Sequence, residues 1–339
     1  MNSIDKPTPS STTPTIVVRE AAAPRPRWQG LLIRPETVTL VLLVVATIVA
    51  SRLSPFFADL GFILESSTYY IEFAIVALVL TLVIISGEID LSPAAQMALS
   101  ACLFGTAFKA GLPMPAAMGV SLLAGLVMGA FNGVLVTVLR LPSIIVTIGT
   151  LILYRGLAQV LAGDKSIGGF PSWFVGIDYR MVGIVPVPVL VFVAATLVLG
   201  LFLGLTIYGR QIYQIGTSEI AAIHAGIRVR RIKMGLFIAS GITSSIAGLM
   251  VASRLGSVRY DLASGAELTM VLIVMLGGTY IFGGRGSILG TFLAAWLLVI
   301  IATGMTVANI AINAQLTVMG LLLIVSIIMT NAIYSRSQR

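Results

Sequence analysis

Residues 69–94 read YYIEFAIVALVLTLVIISGEIDLSPA, an apolar run followed directly by a glycine, two acids and a proline. The apolar part approaches the ~20 residues that a helix needs to cross ~30 Å of hydrocarbon. Pro93 lacks an N–H and suits the first position of a new helix, with Ser92 as its cap. The stretch therefore predicts two membrane helices separated by a polar break, or one broken helix pair.

The rest of the chain has the same character. Of its 339 residues, 58% are hydrophobic and 10% charged, against about 45–50% and about 25% in a soluble domain. This composition predicts an all-α integral membrane protein with a transmembrane domain over 37–333, a disordered cytoplasmic tail over 1–36 and a second cytoplasmic tail over 334–339. Ten segments are apolar enough to approach a full span: 37–54, 69–86, 92–109, 114–139, 143–162, 183–207, 234–252, 267–282, 288–307 and 314–333.

The cations predict how these segments are oriented. The formal charge is +8, but Lys and Arg lie in short stretches between apolar runs and not in a basic patch with aromatic residues, which excludes nucleic acid. With the N-terminus inside, 14 of the 21 Lys and Arg face the cytoplasm and six face outward, while Arg155 falls inside the fifth segment. Ten helices with both termini in the cytoplasm follow from the positive-inside rule.

Several classes of chemistry have no support in the sequence. It contains no G-x-x-x-x-G-K-[ST] motif, so the chain has no phosphate loop with which to bind ATP itself. Its single histidine, His224, and single cysteine, Cys102, are too few for a thiolate zinc site, a disulfide framework or a catalytic triad. We expect no enzyme active site, no metal and no cofactor in this chain.

The longest internal polar connection runs over residues 208–233. Its isoleucines have helical spacing, Glu219 lies near the start of the stretch, and four cations follow between Arg228 and Lys233. This order of charges suits the dipole of a short helix. The segment is either a surface loop that contacts lipid headgroups or a docking helix for a cytoplasmic partner.

Four motifs carry a resemblance to a known family: Gly216-x4-Ala221-Ala222-x3-Gly226-Ile227; Asn132-Gly133; Leu141-Pro142 through Thr150 with Tyr154-Arg155-Gly156; and Leu276-Gly277-Gly278-Thr279 running into Phe282 through Thr291. Together they resemble the permease subunits of bacterial ATP-binding-cassette importers of the ribose and monosaccharide class, which are related to the branched-chain amino-acid permeases. One motif departs from that pattern, because Glu88 and Pro93-Ala94 stand where the family has Gly and Val-Gly.

The resemblance implies a multi-pass permease of the bacterial inner membrane that works as a homo- or heterodimer. Two cytoplasmic ATPase subunits would hold ATP and Mg, and a periplasmic or surface sugar-binding protein would deliver ribose, xylose, rhamnose or a similar monosaccharide. It assigns the ATPase-coupling role to seven residues: Gly216, Glu219, Ala221, Ala222, Gly226, Ile227 and Arg285.

Polar residues within the apolar segments are candidates for the translocation path, because ionisable groups at membrane depth are costly and rarely idle. Arg155 is expected to pair inside the protein or to extend to the outer interface. The acids of the break either line the path or are solvated at the cytoplasmic interface. Amides and hydroxyls bind either a sugar or a neighbouring helix. The candidates for the path are Glu88, Asp90, Asn132, Thr147 and Arg155.

The glycines of Gly283-Gly284-Arg285-Gly286 disfavour helix and permit positive φ, which predicts a tight cytoplasmic turn between the eighth and ninth segments. Arg285 is the only charge between Glu267 and Arg336, so it anchors this end or merely obeys the inside rule in a lipid-facing loop.

Two alternatives to a monosaccharide importer stay open. The first is an ion-coupled secondary transporter with Glu88 or Asp90 as its ion site at the helix break. The second is an importer of the same class for another small polar solute, such as a branched-chain amino acid, a nucleoside or a furanosyl signal molecule.

Overall fold

The computed structural model describes residues 35–336, so the predicted N-terminal tail lies almost wholly outside the described residues, whereas residues 334–336 of the predicted C-terminal tail continue the last helix. The described chain is helical, with two small strand pairs. The α-helices are α1 Pro35–Leu53, α2 Leu60–Ile85, α3 Pro93–Lys109, α4 Met114–Thr137, α5 Ser143–Ala162, α6 Ser172–Val175, α7 Val187–Leu205, α8 Ile207–Thr217, α9 Glu219–His224, α10 Val229–Leu255, α11 Ala266–Leu276, α12 Ile288–Val307 and α13 Ile312–Arg336. The strands are β1 Ile167–Gly168, β2 Met181–Val182, β3 Val185–Pro186 and β4 Ser257–Val258.

All ten predicted apolar segments are helical, and eight of the helices in the described range are long and apolar enough to cross a membrane. The helices of the other two predicted segments are shorter: α3 has 17 residues and α11 has 11. The prediction of an apolar span over 267–282 is wrong at its end, since α11 stops at Leu276. Gly277 and Gly278 end the helix there, and Gly278 has φ +79°. At 1.5 Å per residue α11 is ~16 Å long, so the chain completes this crossing without helix.

The helix ends form two opposite faces. On one, which we call the inner face, the Tyr334 hydroxyl donates to the Gly278 carbonyl at 3.0 Å, and Pro35 packs against the same glycine. Both ends of the described chain therefore lie on the inner face, as ten crossings require. On the outer face, β1 pairs antiparallel with β4 and so joins the two longest external connections, while β2 and β3 form an antiparallel hairpin within the first of them.

The core of the bundle is built on α2, α3 and α10. The C-terminal part of α2, from Ile71 to Ile85, is buried except at half-buried Phe73, whereas α1 and α13 are largely exposed on the periphery. The most extensive helix pair is α4 with α10. A Cβ on Gly241 of α10 would overlap the Gly125 carbonyl of α4, so the small residues let the two backbones touch.

Candidate translocation and coupling sites

The break between α2 and α3 places Asp90 inside the bundle, where it is 1% exposed. One carboxylate oxygen accepts hydrogen bonds from the Ser92 backbone N–H at 3.0 Å and the Ser92 hydroxyl at 2.6 Å. The other oxygen accepts from the Ser240 hydroxyl of α10 at 2.8 Å. Ser92 stands at the predicted cap position before Pro93, but the prediction that its side chain caps α3 is wrong. Its hydroxyl is committed to the buried carboxylate instead.

Further hydrogen bonds join four segments around Ser92. Its hydroxyl oxygen accepts from the Gln96 amide at 2.6 Å and from the Asn132 amide of α4 at 2.8 Å. The Asn132 amide oxygen in turn accepts from the Tyr154 hydroxyl of α5 at 3.0 Å. We refer to these residues as the polar cluster: Asp90, Ser92, Gln96, Asn132, Tyr154 and Ser240.

The polar cluster lies well inside the membrane-spanning part of the chain. Ser240 is eleven residues into α10, or ~16 Å along the helix axis from Val229. Every member of the cluster is less than 5% exposed. Of the two sequence alternatives for Asp90, the solvated carboxylate at the interface is therefore excluded.

Glu88 is placed differently, at the inner face. Lys233 of α10 lies 2.6 Å from the Glu88 carboxylate and 2.6 Å from the carboxylate of Glu219, the first residue of α9. The side chains of Lys233 and Glu88 are 8% and 14% exposed, and that of Glu219 is 52% exposed. We call Glu88, Lys233 and Glu219 the ion triad.

The other two path candidates lie apart from each other. Thr147 is buried beside the break, and its hydroxyl lies 2.8 Å from the Ser143 carbonyl and 3.3 Å from that of Ile89. Arg155, about 12 Å further along α5, donates to the carbonyls of Tyr260 at 2.9 Å and Leu262 at 2.7 Å in the outer connection before α11. The prediction that Arg155 finds partners inside the protein is confirmed, and its partners are carbonyls.

The inner connection 208–233 is mostly helical. The predicted short helix is confirmed as α9, which begins after Ser218, whose side chain accepts from the Ala221 N–H. The preceding α8, capped by Thr206, is absent from the sequence-based description. On α9, Ile220 and Ile223 are 70% and 55% exposed.

The predicted coupling residues divide into an exposed and a packed set. Ala221 and Gly226 are exposed, and Gly226 has φ +79°, which ends this turn. Ala222 is buried in a small cluster with Ile215 and Val229, against which Ile227 packs. Ala222 and Ile227 therefore hold α9 against the bundle, while Ile220 and Ile223 face outward.

Gly216 lies where three inner-face segments meet. A Cβ on Gly216 would overlap the Ile85 carbonyl at the end of α2 and the Gly284 backbone nitrogen, and that nitrogen donates to the same carbonyl at 2.8 Å. Gly283 and Gly284 have φ +88° and +75°, so the predicted glycine turn is confirmed as the reversal before α12. Arg285 is half-buried with its guanidinium 5.0 Å from the centre of the Tyr334 ring. Gly216 is therefore a packing contact between α8, α2 and the turn.

A cavity of about 860 Å³ opens on the inner face between α4, α9 and α10. Both carboxylates that line it, Glu88 and Glu219, are already bound to Lys233. Its remaining charged lining residues are Arg140, Arg228, Arg230 and Arg231. The cavity is consequently strongly basic.

The outer face carries a charged group that the sequence did not predict, formed by Arg254, Glu72 and Asp178. Arg254 of α10 donates to buried Glu72 of α2 at 2.8 Å and lies 3.8 Å from Asp178. The pKa of Asp178 is raised to about 7, chiefly by burial and also by the neighbouring Glu72 carboxylate, while Arg254 acts to lower it. The signal was present in the sequence, because a carboxylate within the apolar run 69–86, here near its start, requires a partner.

Comparison with known proteins gives the family. Residues 62–327 match the family described as "Branched-chain amino acid transport system / permease component". The chain belongs to this permease family. It is also 34% identical over 309 residues, 89% of this chain and 94% of the relative, to the autoinducer 2 import system permease protein LsrD of Escherichia coli K12, and equally to those of Shigella flexneri and Escherichia coli O157:H7. No solved structure matches the chain significantly.

The permease family and the eight long apolar helices agree with each other. The chain is a multi-pass inner-membrane protein and a permease component of the ATP-binding-cassette importer class. The resemblance to monosaccharide-class permeases is thereby confirmed. Residues 62–327 include the polar cluster, the ion triad and the inner-face helices, so all these features belong to the permease domain.

Proposed function

We propose that this permease imports a furanosyl signal molecule of the autoinducer 2 kind, driven by a separate ATPase. The observation that carries the proposal is the 34% identity, over 89% of the chain, to permeases of autoinducer 2 import systems. A furanosyl solute is one of the alternatives that the sequence left open, and it is chemically close to ribose and xylose. Those sugars are the competing substrates.

The polar cluster supports a hydroxyl-rich solute. Its members offer hydroxyl, amide and carboxylate groups at membrane depth, and the Gln96 amide oxygen is buried without a hydrogen-bond partner among the described residues. A hydroxyl-rich solute needs such donors and acceptors to replace water. The cluster and Thr147 accordingly remain our candidates for the path, whereas Arg155 is better suited to holding the outer connection.

The inner face supports coupling to a cytoplasmic ATPase. Ile220 and Ile223 project from a short helix, next to a basic cavity and beside the glycine turn. Exposed apolar side chains with a polar rim are typical of a protein contact. In this proposal the partner ATPase holds ATP and Mg, a second permease subunit completes the path, and an external binding protein delivers the solute.

Two measurements test the proposal. A tagged permease, expressed with the genes beside its own, should retain an ATPase with a phosphate-binding loop through purification. Uptake of labelled autoinducer 2 by the reconstituted complex should be reduced by excess unlabelled autoinducer 2 more strongly than by excess ribose, xylose or leucine. Stronger competition by ribose or xylose would show that one of these sugars, and not autoinducer 2, is the preferred substrate. Loss of the ATPase during mild purification would contradict ATP-driven import.

One observation favours the ion-coupled alternative, namely a carboxylate buried at a helix break. Asp90, however, already accepts three hydrogen bonds. We therefore place ATP-driven import first.

A further inference from the structure

Lys233 joins two carboxylates that belong to different parts of the protein. Glu219 starts α9, the candidate ATPase contact, and Glu88 lies in the break that carries Asp90. We propose that Lys233 is a positioning residue that latches α9 to this break, so that a movement of α9 reaches the polar cluster. The inference rests on the proposed function, because it assumes that an ATPase moves α9.

The two halves of the latch differ in strength. Lys233 and Glu88 are both largely buried, so their attraction is poorly screened. Glu219 is half exposed, and ion pairs with exposed partners contribute little to stability. The Glu88–Lys233 contact is therefore the firmer of the two, and the Glu219–Lys233 contact is the one through which a movement of α9 reaches Lys233.

Glu88, at one end of the latch, is connected directly to the polar cluster. Only Ile89 separates Glu88 from Asp90, and the Ile89 N–H donates to the Ser143 hydroxyl of α5 at 3.1 Å. Asp90 binds Ser240, seven residues beyond Lys233 on α10. A shift of Glu88 consequently pulls on the contacts between α3, α5 and α10 that hold the polar cluster.

The test is the amount of labelled autoinducer 2 taken up per ATP hydrolysed by the complete complex in proteoliposomes. Glu88→Gln and Glu219→Gln should each lower this ratio by about fivefold, the lower end of typical coupling between sites. The double variant should lower it no further, because both changes act through Lys233. Lys233→Met should match the double variant, and Lys233→Arg, which keeps the charge, should restore most of the ratio.

Glu65→Gln is the matched control, since Glu65 is exposed at the opposite end of α2. Copurification of the ATPase and thermal unfolding in detergent, measured for each variant, separate lost coupling from lost assembly. An unchanged ratio in Glu88→Gln and Lys233→Met, or a fall only in variants that have lost the ATPase, would overturn the latch while leaving the importer intact. Absence of ATP-driven uptake by the unmodified complex would overturn the proposed function and the latch with it.

Discussion

Glu88 and Asp90 are two residues apart in the chain and have opposite environments. Glu88 is at the inner face with a lysine as counter-ion, whereas Asp90 is buried with three hydrogen-bond donors and forms no ion pair with any cation of residues 35–336. The reversal of the chain at Gly87, with φ +85°, separates them by turning the break into the bundle. A largely buried ion pair at the inner face and a buried hydrogen-bonded carboxylate inside the bundle thus arise from one short segment.

Arg155 is predicted to stabilise the outer connection through its two hydrogen bonds to carbonyls. Arg155→Ala removes a charged donor from two carbonyls, and we expect a loss of about 2 kcal/mol in stability, since hydrogen bonds to charged groups are worth about 1.5–3 kcal/mol. Thermal unfolding in detergent measures it. Gln159→Ala, one turn further along α5 at an exposed position, is the control and should have little effect. Equal stability of the two variants would show that the arginine is held only by solvent.

Asp178 supplies a pH-dependent prediction. Its pKa is raised to about 7 by burial and by Glu72, so the folded protein keeps a proton that the unfolded chain loses near pH 4. Stability should therefore fall as pH rises from about 4 to about 7 and level off above it. Arg254, the third charged group here, opposes this trend. Thermal unfolding of Asp178→Asn should depend less on pH over this range than that of exposed Asp164→Asn, and identical profiles would contradict the assignment.

Among the elements, α9 and α11 show what packing adds to sequence pattern. The sequence predicted α9 from its spacing and charge order, and the glycine turn from its composition. It did not predict α8, because a short amphipathic helix among polar residues differs little from a loop in composition. It overextended α11, because residues 277–282 remain apolar after the helix ends. Ionic partners such as Lys233 for Glu88, 145 positions apart, have no local signal at all.

The exposed face of α9 is predicted to contact the ATPase. Ile220→Asp with Ile223→Asp should abolish copurification of the ATPase, because charges replace the apolar contact while the buried Ala222 that holds the helix is untouched. Ile184→Asp on the outer face, where the side chain is 61% exposed, is the matched control and should leave the complex intact. A stable complex carrying both α9 substitutions would remove this helix from the ATPase contact.

In the whole molecule, the arrangement of the ten segments followed from hydropathy, and the placement of both described ends on one face agrees with it. The sidedness of that face rests on the cations and stays a prediction. The polar residues around the break were only partly predictable, since Asp90, Asn132 and Thr147 were recognised from the sequence as candidates, whereas Ser240 and Tyr154 were not. Which polar groups meet depends on how α3, α4, α5 and α10 pack.

A single cysteine tests the sidedness. Arg285→Cys, in a background with Cys102→Ser, should react with an impermeant thiol reagent only from the cytoplasmic side, because Arg285 lies on the inner face beside Tyr334. A cysteine at Ile184, on the outer face, should give the opposite pattern. Bound ATPase should shield the cysteine at position 285 and not the one at position 184. Labelling of position 285 from the periplasm would reverse the orientation of the molecule.

The energy source for transport distinguishes an ATP-driven importer from an ion-coupled transporter. Proteoliposomes that hold the permease, its ATPase and internal ATP should accumulate labelled autoinducer 2 when the binding protein is supplied outside. Collapse of the proton and sodium gradients should leave this uptake unchanged, and replacement of ATP by a non-hydrolysable analogue should abolish it. Accumulation by the purified chain alone, driven by an ion gradient without ATPase or binding protein, would contradict ATP-driven import.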